Sequence, residues 1–151
     1  MNKASRLEPI ADYAGMVEND AARRLAASAK ALETKEREVE QLRSYLAEYR
    51  QRTDVEQAST DSLRWRNTRA FLSRLTDVVA GQEAELQKAV EKYRLEAERW
   101  RDSYRRSKSL DKVIEQAQRE ILQEGQKRDQ AEQDERVMQQ QLRSRRPPIL
   151  A

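Results

Sequence analysis

Residues 32–49 read LETKEREVEQLRSYLAEY, and their apolar side chains fall into a frame that advances by three and four residues in turn. Extended outward, this frame runs from Leu7 to Tyr49 and places apolar residues at ten of its thirteen positions. The thirteen positions are Leu7, Ala11, Ala14, Glu18, Ala21, Leu25, Ser28, Leu32, Lys35, Val39, Leu42, Leu46 and Tyr49. A seven-residue apolar repeat of this length is typical of a coiled coil, and we call the row of frame positions the seam.

A second frame begins at Trp65 and returns every seven residues as far as Ile121. It comprises Trp65, Leu72, Val79, Leu86, Tyr93, Trp100, Ser107, Ile114 and Ile121. Its intermediate positions are apolar at Leu75, Ala89, Leu110 and Ala117, and polar at Gln82, Glu96 and Ser103. Ala97 and Tyr104 lie one residue further on, as expected when a helix drifts relative to a strict heptad. Gly81 falls inside the frame without shifting its phase and therefore predicts a weak point in the helix and not a break.

The polar stretch between the two frames predicts a reversal of the chain. Residues 59–62 read STDS, a cluster of helix caps and turn formers. We therefore predict an all-α protein, a long two-helix antiparallel coiled-coil hairpin, forming a single domain over residues 1–151. The predicted parts are helix 1 at about 6–52, a hinge at about 53–62, helix 2 at about 63–142 and a loose basic tail at 143–151, where two prolines end any helix.

The start of helix 1 and the register of the hairpin can also be predicted. Ser5 and Glu8 fit a capping box, with Pro9 in the first turn. If the chain reverses near residue 60, large residues meet small or apolar ones across the hairpin, as close packing demands. The predicted facing pairs are Trp100 with Ala21, Tyr93 with Ser28, Leu42 with Val79, Leu46 with Leu75, and Leu7 with Ile114. A slip of one heptad preserves most of this pattern, so the register stays open.

Three apolar residues lie beside the seam and not in it. Tyr45, Phe71 and Val78 each precede a seam residue, the g position of a heptad. Since the two g flanks of an antiparallel pair lie on the same side, these residues are predicted to form one apolar strip above Leu42, Tyr49 and Leu75. One interpretation is that they fold over the seam and widen the core. The other is that they form a patch that binds a partner protein.

Composition excludes several classes of function. Charged residues make up 38% of the chain, the net charge is only +3, and there is neither Cys nor His. No apolar run approaches the ~18 residues of a membrane span, and no signal peptide is visible. The basic pairs at 23–24 and 105–106 lie among acidic residues, which argues against nucleic-acid binding. We therefore expect a cytoplasmic protein without enzymatic activity, catalytic residues, cofactor, metal or direct membrane insertion.

Several landmarks along the chain resemble the flagellar type III export protein FliJ family, in order and at compatible spacing. They are Glu48-Tyr49-Arg50, Trp65, Phe71-Leu72, Leu75, Val78-Val79, Trp100-Arg101, Lys108-Ser109-Leu110, Asp129-Gln130 and Asp134-Glu135. The resemblance covers nearly the whole chain. One departure is that Ala131 and Glu132 stand where the family usually carries lysines.

The resemblance implies a non-catalytic stalk and adaptor at the cytoplasmic face of the membrane export apparatus. In such proteins the two chain-end segments insert into the hexameric ring of the flagellar export ATPase. The hinge half contacts the cytoplasmic linker of the membrane export gate protein, and export chaperones also bind. The gate-binding surface would map onto Leu42, Tyr45, Tyr49, Phe71, Leu75, Val78 and Gln82, with Glu38 at its edge.

The ATPase-facing end is predicted to include Leu7, Ala14, Ala21, Leu25, Ile114 and Ile121. Two alternatives stay open at this point. One is the equivalent stalk of an injectisome type III secretion system. The other is a purely structural coiled coil or dimerisation segment, which would have no ATPase partner.

Overall fold

Two long helices make up the protein. The computed structural model describes residues 2–56 and 62–145, within which α1 spans Lys3–Glu56 and α2 spans Ser62–Ser144. No strand occurs in these two ranges, and the helices pack against each other, so the predicted all-α two-helix fold is confirmed. Residues 57–61, half of the predicted hinge, lie outside the described residues, as do residue 1 and residues 146–151 of the tail.

The start of α1 differs from the predicted capping box. The helix begins at Lys3, and the backbone N–H of Ser5 donates to Oδ1 of Asn2 at 2.8 Å. Asn2 is therefore the N-cap, and the prediction of a cap at Ser5 was wrong, because asparagine is at least as good a cap as serine and Lys3 and Ala4 readily extend the helix. Pro9 consequently lies inside α1, where it cannot donate the usual helical hydrogen bond.

Both helices extend slightly beyond their predicted bounds. At the end of α1, Thr53 occupies the seam position that follows Tyr49; it is 4% exposed, and its hydroxyl donates to the carbonyl of Tyr49 at 2.8 Å. The burial of this side chain at a seam position explains why the helix continues past residue 52 although the local sequence is polar. In α2 the helix passes through Gly81 without interruption, as expected.

Residues 16–104 form one compact unit, in which the helices run antiparallel. Its core contains Leu46, Leu75 and Val79, with Leu42, Tyr49 and Leu72 packed against them. This cluster agrees with the predicted facing of Leu46 with Leu75 and of Leu42 with Val79. Further contacts join Lys35 to Gln82 and Glu18 to Trp100, so residue numbers fall along α2 as they rise along α1. Trp100 thus lies within one turn of its predicted partner, Ala21. The facing of Tyr93 with Ser28 stays a prediction.

The seam predicted for α1 agrees with the burial of its side chains. All thirteen positions are buried or half-buried, including the polar Ser28 and Lys35. In α2 most seam positions are also covered, while Tyr93 and Ile121 are 38% and 41% exposed. The seam therefore tolerates polar residues at several levels, and Glu96 is the most buried of those in α2.

The second unit comprises residues 1–15 and 105–151, of which 2–15 and 105–145 are described. Its buried residues are the alanines Ala4, Ala14 and Ala117, whose small side chains let two helix backbones approach closely. From residue 118 to residue 145 every residue is exposed except Gly125, which is half-buried. This last part of α2 is therefore a solvated helix within its unit. The facing of Leu7 with Ile114 stays a prediction.

Candidate partner-binding surface

The apolar strip, Tyr45, Phe71 and Val78, is exposed to solvent. The three residues are 46%, 38% and 51% exposed. The ring of Tyr49 joins two of them, because its centroid lies 6.4 Å from that of Tyr45 and 4.8 Å from that of Phe71. Three aromatic rings from two helices thus form one continuous surface.

The heptad pattern explains why these residues gather on one side. Each is a g-position residue, and in an antiparallel pair the g positions of both helices flank the same side of the seam. The buried cluster of Leu46, Leu75 and Val79 lies at the same level of the coil. The strip is therefore supported from below by packed side chains, which holds the rings in place before any partner arrives.

The opposite flank, formed by e positions, has a different chemistry. Nε of Arg43 donates to Oε1 of Glu83 at 2.8 Å, and Nη2 of Arg50 donates to the hydroxyl of Thr76 at 3.5 Å. The hydrogen bond to Glu83 raises the pKa of Arg43 above its ordinary value. One flank is thus crossed by polar contacts, whereas the other presents aromatic rings.

Lys35, Glu38 and Gln82 form a polar cluster within the unit of residues 16–104. Nζ of Lys35, a seam residue, donates to Oε1 of Gln82 at 3.0 Å and lies 3.3 Å from Oε2 of Glu38. The side chain of Lys35 is only 27% exposed, because its methylenes lie in the seam and its ammonium reaches the edge. Gln82 and Glu38 are therefore tied to one another through this ammonium group.

The comparison with known families identifies the chain's relatives. A family model described as "Flagellar FliJ protein" matches residues 2–146, nearly the whole chain. The chain belongs to the flagellar FliJ protein family. Its members are non-enzymatic components associated with flagellar export, and this chain is accordingly a flagellar export-associated protein. No curated protein and no solved structure matches it.

The residues predicted to form the gate-binding surface of a FliJ protein differ in accessibility. Tyr45, Phe71 and Val78 are exposed; Leu42, Tyr49 and Gln82 are half-buried; Leu75 is buried. Aromatic contacts and the apolar cluster bring together Leu42, Tyr45, Tyr49, Phe71 and Leu75. Gln82 instead contacts Lys35, and Glu38 at the edge is exposed. A partner would therefore meet the rings directly, with Leu75 supporting them from within.

The residues predicted to face the export ATPase mostly belong to the seam. Ala14 and Ala21 are buried, and Leu7, Leu25 and Ile114 are half-buried, whereas Ile121 is 41% exposed. Leu7, Ala14, Ile114 and Ile121 lie in the unit that contains both chain ends, and Ala21 and Leu25 lie in the unit of residues 16–104. In the chain-end unit, Ile121 is the predicted residue that offers most surface to a partner.

Other exposed apolar residues in the chain-end unit were missed by the sequence analysis. Ile10 and Tyr13 are 53% and 69% exposed, and their i, i+3 spacing places them on one face of α1. Leu122 and Leu142 are 66% and 63% exposed on α2. The heptad phase already places Ile10, Tyr13 and Leu122 outside the seam, and that signal would have found them.

The described residues show neither a metal site nor a membrane span. Within residues 2–56 and 62–145, no three His, Cys, Asp or Glu side chains are grouped closely enough to hold a metal ion. In the same ranges neither helix has a segment long and apolar enough to cross a membrane.

Proposed function

We propose that this FliJ-family protein is a non-catalytic stalk and adaptor of the flagellar type III export apparatus. It binds the hexameric export ATPase, the cytoplasmic linker of the membrane export gate protein, and export chaperones. Its place in the cell is the cytoplasm, at the cytoplasmic face of the export apparatus. The observation that carries the proposal is the exposed apolar strip, in a family associated with flagellar export.

The strip has the properties of a protein-binding surface. Exposed aromatic rings that are already ordered contribute large contact area at small entropic cost. Tyr45 and Phe71 are held on either side of Tyr49, and the polar flank at Arg43 offers no comparable apolar area. We assign this strip to the gate linker.

The chain-end unit supplies the second contact. Ile10 and Tyr13 on α1 and Ile121 and Leu122 on α2 are exposed large apolar residues within a helix surface that otherwise carries interspersed charges of both signs. Such a surface favours many weak and reversible contacts, because individual exposed ion pairs contribute little. These contacts suit a stalk that meets successive subunits of an ATPase ring.

The family description favours the flagellar system over the injectisome. A purely structural coiled coil is the remaining alternative. It would leave the strip without a heterologous partner, or would bury it in a homodimer. Sedimentation of the free protein over a range of concentrations separates the homodimer from the adaptor.

The direct test is the affinity of the gate linker for the full chain and for three variants. Phe71→Ala and Tyr45→Ala each remove one exposed ring and should weaken binding by about 30-fold, the effect of losing about 2 kcal/mol at an interface hot spot. Arg43→Ala, on the opposite flank, is the matched control and should bind as the wild type does. Equal affinities for all four proteins would contradict the assignment of the strip to the gate.

A further inference from the structure

The g positions at the two ends of the apolar strip carry charges of opposite sign. At intervals of seven residues, the g row of α1 reads Glu38, Tyr45 and Arg52, and that of α2 reads Arg64, Phe71, Val78 and Glu85. All of them lie in the unit of residues 16–104. Because the helices run antiparallel, the two glutamates lie at one end of the strip and the two arginines at the other.

Three of these charged side chains are more than half exposed and are only weakly engaged within the chain. Glu38, Glu85 and Arg52 are 52%, 51% and 70% exposed. Each forms one ion pair with a residue of its own helix, at 3.3, 3.1 and 3.9 Å, and the partners are Lys35, Lys88 and Glu48 respectively. Ion pairs on a helix surface contribute little to stability, so they can be exchanged for contacts with a partner.

Arg64 is exposed, and no carboxylate of the described residues pairs with its guanidinium group. It belongs to a stretch with an excess of positive charge, because residues 62–76 of α2 contain four arginines and neither Asp nor Glu. Of these four, Arg64 is the one at a g position, seven residues before Phe71 and about 10 Å from it along the helix. The strip therefore ends beside an uncompensated cation.

A polyanion does not fit this flank. An anionic lipid surface or a nucleic acid would be attracted by Arg52 and Arg64, but would also meet the carboxylates of Glu38 and Glu85 at the other end of the strip. A segment of polypeptide can carry charges of both signs together with an apolar centre that covers the rings. The flank thus complements a partner segment that is acidic at one end, apolar in the middle and basic at the other end.

We propose that the partner segment covering the strip lies along the g flank in one direction, with acidic residues beside Arg52 and Arg64 and basic residues beside Glu38 and Glu85. This inference rests on the proposed function, in that the strip binds a protein, and adds the charges and the direction of the bound segment. The rings supply apolar contact, while the charges steer and align the partner. The opposite direction would bring like charges together at both ends, which is unfavourable.

The test uses a defined probe, the peptide Glu-Glu-Glu-Gly-Leu-Phe-Gly-Lys-Lys-Lys-amide with a nitroxide label on its acidic N-terminus. Extended, it measures at most about 34 Å, and Arg64 and Glu85 lie about 32 Å apart along α2. The peptide is titrated into the isotope-labelled full chain, and NMR measures the broadening of amide signals by the label. We expect saturable binding with a Kd of about 1–10 mM, and stronger broadening at Thr68, one turn from Arg64, than at Leu86.

Charge reversal at both ends should reverse the direction of the bound peptide. The variant that combines Arg52→Glu, Arg64→Glu, Glu38→Arg and Glu85→Arg should show stronger broadening at Leu86 than at Thr68. Arg64→Glu alone should weaken binding by about threefold, the size of a single exposed charge contact. Circular dichroism checks helix content, and if the fourfold variant loses it, Arg64→Glu alone decides.

Arg66→Glu is the matched control. It makes the same charge change as Arg64→Glu two residues further on, at an exposed position that the heptad places on the outer face of α2. It should bind the peptide with wild-type affinity and in the wild-type direction. Equal losses in Arg64→Glu and Arg66→Glu would show that only the overall charge matters, and would contradict an aligned contact on the g flank.

Four further results would overturn the proposal. They are equal broadening at Thr68 and Leu86, a direction that the fourfold reversal leaves unchanged, no saturable binding up to about 10 mM, and binding of phosphatidylglycerol vesicles that Arg64→Glu abolishes. The proposed function fails separately. If Phe71→Ala binds the gate linker as tightly as the wild type while the peptide keeps its direction, the gate assignment is wrong and the alignment stands.

Discussion

The ring of Phe71 on α2 lies 4.8 Å, centroid to centroid, from the ring of Tyr49 on α1, with the two planes tilted by 59°. This is a favourable geometry for two aromatic rings. It joins an exposed residue of one helix to a half-buried residue of the other. The contact therefore orders the surface that we assign to the export gate while leaving one ring accessible.

This arrangement predicts different effects for two residues that are one turn apart on α2. Phe71→Ala should lower the free energy of unfolding by about 1 kcal/mol, since it removes an aromatic contact from a partly exposed site. Leu75→Ala should cost about 2–4 kcal/mol, because Leu75 is 9% exposed and belongs to the core cluster. Urea unfolding followed by circular dichroism measures both. A loss of native helix content in Phe71→Ala would show that the ring belongs to the core, and would refute the patch.

Gly81 offers a stabilising substitution. It lies inside α2, is exposed, and has open space where a Cβ would be added. Gly81→Ala should therefore raise the free energy of unfolding by about 0.5–1 kcal/mol, and the thermal midpoint by about 1–4 °C, because glycine loses more backbone entropy in a helix. Gly125→Ala is the matched control in the solvated part of α2. It should raise helix content and leave the main unfolding transition in place, and an equal shift in both variants would contradict this.

The buried carboxylate of Glu96 should reduce the stability of the coil. Glu96→Leu replaces a poorly compensated buried charge with a residue suited to a seam position, and is expected to stabilise the protein by about 1–3 kcal/mol. Glu98→Leu, on the exposed surface, should change stability by no more than about 0.5 kcal/mol. Thermal melts of the two variants provide the comparison. Destabilisation by Glu96→Leu would mean that the carboxylate is well satisfied in the folded protein.

The assignment of Asn2 as the N-cap can be tested at single-residue resolution. Asn2→Ala removes the acceptor for the N–H of Ser5 and should cost about 1 kcal/mol locally. Amide hydrogen exchange at Ser5 should then accelerate about fivefold. Ser5→Ala should leave exchange at the following amides unchanged, because alanine is a better helix former than serine. If Ser5→Ala frayed the helix more than Asn2→Ala, the capping box at Ser5 would be restored.

Much of the fold follows from heptad phase alone. Every position of the α1 frame between Leu7 and Tyr49 is buried or half-buried in the structure. The sequence could predict this because burial in a coiled coil repeats with the heptad. The same phase places Tyr45 and Phe71 beside the seam, where the structure finds them exposed. The strip could therefore be located before its contacts were known, although phase alone could not distinguish a surface from a widened core.

The features that the sequence analysis missed depend on competition between two possible N-cap residues or on the exact positions of side chains. Asn2 and Ser5 are both good caps, and only the hydrogen bond from the N–H of Ser5 to Oδ1 of Asn2 shows which of them starts the helix. Glu96 was recognised as a polar seam residue, but the burial of its second oxygen depends on side-chain positions that spacing does not specify. Thr53 extends α1 because its side chain occupies one more seam position in a stretch that is otherwise polar.

The most direct measurement of the proposed stalk function is the ATP hydrolysis rate of the purified flagellar export ATPase from the same organism. The full chain is titrated in, together with Phe71→Ala as a variant altered only at the gate surface. We predict a saturable rise in rate, accompanied by ring assembly, that is the same for wild type and variant. No rise at any ratio of the two proteins would contradict the stalk, and would leave a FliJ-family coiled coil whose ATPase partner is absent.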